Sequence, residues 1–167
     1  YSEHDPIIWW SPDPRFVLYP DRLKVSKSMR PYFNQQKYNW SLDRDFRAVI
    51  TACQQQNRVG QTGTWITDEM LSAYCELHEL GLAHSIEVWE AGDLVGGLYG
   101  IALGRVFFGE SMFARKSNAS KFGFISLVRQ LIQWDFELID CQQETRHLRS
   151  LGAELISREQ FMQHLAG

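Results

Sequence analysis

A chain of 167 residues and 19.4 kDa can bury one sizeable core or two small ones, and 44% hydrophobic with 22% charged residues at a net charge of −3 excludes disorder as its main state. No apolar run nears the roughly 18 residues a spanning helix needs, and Tyr1 to Pro6 carry no signal core, so a cytoplasmic globular protein without a membrane partner is expected. Cys53, Cys75 and Cys141 are too few and too far apart for a disulfide framework or a zinc motif, and the five His lack metal-ligand spacing.

Residues 1–60 carry a net charge of +3 and residues 61–167 one of −6. Between Arg15 and Arg47 eight basic residues interleave with Tyr19, Tyr32, Phe33, Tyr38 and Trp40, a pattern that suits a phosphate backbone beside stacking surfaces and also an ordinary solvated face.

In chain order, a Pro-rich and aromatic opening leads to a short strand at 16–19 and a short helix near 26–33. Ser41 is the expected N-cap of a helix with Asp43 and Asp45 in its first turn and Phe46, Val49, Ile50 and Cys53 on one face. Thr67 caps a second helix, with Met70, Tyr74 and Leu77 along a face and Gly81 as terminator. The period then shortens. Strands at 84–90, 94–101 and 105–113 read as an antiparallel meander. A long helix at 118–134 follows, then a buried strand at 137–141. Ser157 and Gln160 fit a capping box for a last helix carrying Phe161 and Leu165. The expected class is α+β, a mostly antiparallel central sheet with flanking helices and a strand returning beside the meander.

Five glycines, Gly96, Gly97, Gly100, Gly104 and Gly109, interrupt the meander and predict close approach of a ligand or another backbone, or a bulge. They form neither a phosphate loop nor a dinucleotide fingerprint. Glu110 stands in an apolar strand as either a buried structural acid or a recogniser of a cationic ligand. Asp140 and Gln142, two apart, project to one side and can act jointly on one substrate, or serve only to cap the strand end. Cys141 with His84 or His147 is a weak nucleophile couple, and Ser111 lacks the second glycine of a nucleophile elbow.

Seven ordered blocks carry a family resemblance: Trp9-Trp10-Ser11-Pro12-Asp13-Pro14-Arg15, Gly63-Thr64-Trp65-Ile66-Thr67, Ala83 to Trp89, Leu94 to Gly100, Phe108 to Phe113, Asn118-Ala119-Ser120-Lys121 and Leu138-Ile139-Asp140-Cys141-Gln142. Together they resemble the bacterial leucyl/phenylalanyl-tRNA-protein transferases. The resemblance implies a GNAT-like (acyl-CoA N-acyltransferase-like) catalytic domain at 36–167, preceded by a remnant of a small N-terminal domain and connecting segment at 1–35. It implies transfer of Leu, Phe or Met from aminoacyl-tRNA to proteins beginning with Arg or Lys, marking them for degradation by the N-degron pathway, with the enzyme acting as a monomer. No cofactor is implied, since Ala114 to Lys121 lacks the glycines with which acetyl-CoA enzymes of that fold cradle pyrophosphate.

On the same resemblance, Asp140 orients or deprotonates the attacking amine and Gln142 holds the ester end. Leu98, Phe107, Met112, Phe124, Leu127 and Ile139 form the aminoacyl side-chain pocket, which admits Leu, Met and Phe better than β-branched Ile and Val. Glu110 sits near the aminoacyl amino group and Trp65 stacks on the terminal adenosine. Arg15, Lys27, Arg30, Lys37, Arg115 and Lys121 meet tRNA phosphates. Family members carry a further segment before the position of Tyr1 and many extend beyond that of Gly167, and the helix at 30–37 is less basic here. The alternatives are an N-acyltransferase of the same fold with another acyl donor and a non-catalytic RNA- or peptide-binding remnant.

Overall fold

The computed structural model describes residues 13–56, 66–142 and 144–166. Seven strands form one sheet in the order β2-β3-β4-β5-β6-β1-β7. These are β1 (Arg15–Leu18), β2 (Asn39–Leu42), β3 (Ala83–Glu90), β4 (Asp93–Leu103), β5 (Val106–Ala114), β6 (Leu138–Asp140) and β7 (Glu154–Ile156). The helices are α1 (Arg30–Asn34), α2 (Phe46–Gln55), α3 (Asp68–Glu79), α4 (Ala119–Gln133), α5 (Arg146–Ser150) and α6 (Arg158–Ala166). All pairings are antiparallel except β5 with β6. The α+β class and the β3-β4-β5 meander follow the sequence pattern.

The helix ends obey local chemistry where it is strong. The Thr67 hydroxyl accepts from the Met70 N–H at 3.1 Å, and Gly81 closes α3 with φ +81°. The Ser157 hydroxyl accepts from the Gln160 N–H at 3.1 Å while the Gln160 side chain accepts from the Ser157 N–H at 3.1 Å, a complete capping box. At α2 the expectation fails. Asp45, not Ser41, is the N-cap, accepting from the Ala48 N–H at 3.2 Å. Ser41 instead lies in β2 opposite Glu87 of β3, because Trp40 to Leu42 gain a ladder along the meander edge.

Two faces of the sheet bury separate cores. Helix α4 lies over one, where Phe122, Phe124, Ile125, Leu127, Val128 and Leu131 pack on Ile86, Val88 and Leu98. Helices α2 and α3 cover the other around Phe46, Val49, Ile50, Tyr99 and Phe113, and α6 closes a third cluster there through Phe161 against Val17 and Leu138.

The glycines of β4 are explained by this packing. A Cβ on Gly100 would meet the Phe108 carbonyl at 2.2 Å, one on Gly97 the Ile86 carbonyl at 2.5 Å, and one on Gly96 the Ala119 Cβ at 2.7 Å. Another backbone and a helix, rather than a ligand, demand them. Gly104 serves a turn at φ +58°.

Strand β1 is an internal strand of the sheet, one in from its edge. It lies between β6 and β7 and all four of its residues are buried. A boundary at residue 35 therefore does not separate β1 from the sheet that carries the rest of the chain.

Candidate active site

Strands β5 and β6 pair in parallel only over Val106–Phe108 and Leu138–Asp140. Beyond that point β6 ends while β5 continues to Ala114, so among the described residues the sheet opens into a notch at the C-terminal end of β6. Open α/β sheets place ligand sites beyond such strand ends. Phe108 is opposite Asp140, and Glu110 and Gln142 each lie two residues beyond that last pair. Tyr99 pairs with Ser111 and Gly100 with Gly109, which makes Glu110 the extra residue of a β-bulge. Bulges re-aim the side chain they carry.

Five polar side chains meet around that point. The Gln142 and Tyr74 side chains hydrogen-bond to the Glu110 carboxylate. The Gln142 N–H donates to Asp140 Oδ1 at 3.1 Å, an Asx turn rather than strand alternation, with Gln142 in the left-handed region at φ +62°. The other Asp140 oxygen accepts from the Arg15 guanidinium. Asp140 has no exposed surface.

Burial pushes the Glu110 carboxyl above the usual carboxylate range; hydrogen bonds from Gln142 and Tyr74 oppose this, and the Asp140 charge adds to it. Burial likewise raises Asp140, against the pull of Arg15. Burial also drives the Cys141 thiol up to about 12, aided by Asp140, and so removes Cys141 as a ready thiolate. A carboxyl raised in the folded state binds its proton more tightly there than in the unfolded chain, so its ionisation costs stability as the pH rises from about 4 through the folded value. Glu110→Gln is therefore expected to gain stability relative to the parent at pH 8 and to lose that gain near pH 4, as read from urea titrations across the range.

The apolar residues assigned to the aminoacyl pocket gather in one place. Leu98, Phe107, Phe124, Leu127 and Ile139 share the core beneath α4, and Met112 packs half-buried against it. Each of the first five is at most 4% exposed. A cavity of about 120 Å³ touches Phe107 and Leu127, together with Leu42, His84 and Trp134, and does not border Asp140.

Arg15 is a correction to the sequence reading. The resemblance puts it on a phosphate, yet it is 8% exposed and engaged with Asp140, its guanidinium 3.9 Å from the centre of the Phe161 ring. Charge density along the chain gave no sign of a partner 125 residues away. Lys27, Arg30, Lys37 and Arg115 are exposed and Lys121 is half-buried. Lys37 lies over the rings of Tyr32 and Tyr38 at 5.4 and 5.7 Å. The Tyr38 hydroxyl donates to the Ser117 carbonyl at 2.9 Å, and the Asn118 amide donates to the Tyr32 hydroxyl at 3.2 Å. These bonds tie Lys37 to the loop that carries Arg115, at the start of α4. Trp65 and the Trp9-Trp10 pair lie outside the described residues. Helical spacing puts Tyr74 on the apolar face of α3, and its hydroxyl contact with Glu110 has no local signal in the sequence.

A long helix on a mostly antiparallel sheet that opens beside a parallel strand pair defines the GNAT class of acyltransferase folds. Solved structures agree. A GCN5-related N-acetyltransferase from Kribbella flavida matches with a TM-score of 0.53 at 11% identity, over 86% of this chain and 54% of that one. A conserved protein from Bacteroides thetaiotaomicron VPI-5482 matches with 0.54 at 14% identity, over 82% and 53%. At these identities the likeness is one of fold.

Sequence comparison narrows the class. The profile described as leucyl/phenylalanyl-tRNA protein transferase matches residues 17–166. The proteins of that name from Nitrosospira multiformis and Pseudomonas aeruginosa are each 57% identical over 165 residues, spanning 99% of this chain and 71% and 73% of theirs. The chain belongs to the leucyl/phenylalanyl-tRNA protein transferase family.

Proposed function

We propose that the chain transfers a leucyl, phenylalanyl or methionyl group from its tRNA to the α-amine of a protein beginning with Arg or Lys, which marks that protein for degradation in the cytoplasm. Family membership over nearly the whole chain carries this reading, and the notch holding Glu110 and Gln142 supports it. The aminoacyl ester is already activated. The amine nitrogen attacks the ester carbonyl, the new C–N bond forms, the C–O bond to the ribose breaks, and the amine proton ends on the ribose oxygen. Catalysis then consists mainly of alignment, proton movement and stabilisation of the tetrahedral oxyanion.

Gln142 holds the ester end and Glu110 the aminoacyl amino group. With both oxygens engaged and no exposed surface, Asp140 serves to orient Gln142. The apolar cluster around Phe107, Met112 and Leu127 receives the aminoacyl side chain, and Trp65 stacks on the terminal adenosine. Lys27, Arg30, Lys37, Arg115 and Lys121 meet phosphates.

Transfer of labelled Leu from tRNA to a peptide starting with Arg, and not to the same peptide starting with Ala, tests the proposal; use of an acyl-CoA donor instead overturns it. Phosphate contacts release counterions, so binding of leucyl-tRNA is expected to weaken steeply with salt. Lys37→Ala should weaken binding and lower the salt slope by about one, measured by filter binding across a potassium chloride series.

A further inference from the structure

The Arg15–Asp140 pair is buried between β1, β6 and α6. One guanidinium nitrogen donates to Asp140 Oδ2, and the Phe161 ring lies 3.9 Å below the guanidinium. Asp140 Oδ1 holds the Gln142 N–H at 3.1 Å, and the Gln142 side chain reaches Glu110. The contacts form a line: Arg15, Asp140, Gln142, Glu110. Buried ion pairs give little net stability relative to apolar residues of similar volume. What an apolar pair here would lack is a carboxylate fixed in direction, and that direction sets the left-handed turn at Gln142.

We propose that Arg15 is a positioning residue for aminoacyl transfer, holding the Asp140 carboxylate so that Gln142 is fixed against Glu110. The assignment rests on the transferase reading above. It also accounts for a basic side chain of the Trp-Trp-Ser-Pro-Asp-Pro-Arg block lying inside the protein.

The test is a cycle of Arg15→Met, Asp140→Asn and the double variant, with Arg15→Lys as the conservative replacement. Leucyl transfer is measured at saturating and limiting leucyl-tRNA. If Arg15 positions Gln142, Arg15→Met lowers kcat by about 10- to 100-fold, with KM for leucyl-tRNA and its salt slope unchanged. Arg15→Lys recovers part of the loss, and Arg15→Met adds less than about twofold in the Asp140→Asn background, the non-additivity expected of groups that act as a unit. A raised KM with intact kcat and a salt slope lowered by about one would make Arg15 a phosphate contact and overturn the proposal. A lowered melting temperature with intact kcat for the folded protein would make it a packing residue and overturn it equally.

The double variant leaves no unpaired buried charge and Arg15→Lys keeps a cation beside Asp140, so these two proteins carry the test if Arg15→Met alone folds poorly. Hydrogen exchange of the Gln142 amide separates this proposal from the functional one. Faster exchange in Arg15→Lys and in the double variant is expected whether or not the parent transfers Leu, whereas parent-like exchange in both removes the positioning role. A parent that transfers nothing removes the functional reading instead.

Discussion

Asp140→Ala is expected to cost about 3–5 kcal/mol of stability, because it strands the buried Arg15 guanidinium without its carboxylate partner. The same change releases the Gln142 N–H from its acceptor and should abolish measurable leucyl transfer even at temperatures where the variant stays folded. Arg15→Met with Asp140→Leu separates the two effects. A methionine stem can lie over Phe161 as the arginine does, and a leucine fills the carboxylate's volume, so most of the stability is expected to return while transfer stays lost. Urea titrations followed by tryptophan fluorescence, with a constant m-value as the check on two-state behaviour, measure the first effect. Labelled-leucine transfer measures the second. Recovery of activity in the doubly apolar protein would mean that the carboxylate plays no part in placing Gln142.

Elements whose cause is local were legible in the sequence. Thr67 with Gly81, and Ser157 with Gln160, bound α3 and α6 through contacts within four residues, and the meander announced itself by its period. Elements whose cause is a distant partner were not. β7 has three residues and exists because Glu154 to Ile156 pair with β1. α5 has five residues and is held by the Thr145 cap and the burial of Leu148. β2 takes Ser41 out of the helix expected from it because β3 offers hydrogen bonds that a cap cannot match.

The candidate site shows the same division. Glu110, Asp140 and Gln142 could be picked out as polar residues in apolar strands, since burial of such groups needs partners. Their partners, Tyr74 and Arg15, sit on elements 36 and 125 residues away, where neither charge runs nor helical periodicity point to them. Arg15 lands inside for this reason: composition counts charges along the chain, while burial is decided by the strand on which a residue lands.

Glu87 carries the second large effect, and it is a matter of folding rather than chemistry. Its carboxylate has no exposed surface and accepts from the Ser41 hydroxyl at 2.6 Å, from the Arg44 N–H at 3.0 Å and from the Ser85 hydroxyl. The Trp89 indole N–H in turn donates to the Ser41 oxygen at 2.8 Å. The network fastens β2, and the turn that leads into α2, onto the middle of the sheet. Hydrogen bonds to a charged group contribute about 1.5–3 kcal/mol each, and a buried donor left without an acceptor costs a further about 1–3 kcal/mol. Glu87→Ala is therefore expected to lower the unfolding free energy by about 4 kcal/mol or more, after allowance for the desolvation cost that the carboxylate no longer incurs. Glu87→Gln keeps one acceptor oxygen in place and should lose less than half as much. Hydrogen exchange locates the damage: the Arg44 amide should lose protection in Glu87→Ala while the β4–β5 amides, whose partners are untouched, keep theirs. Uniform loss of protection across the sheet would place the role of Glu87 in the global core and not in the docking of its edge.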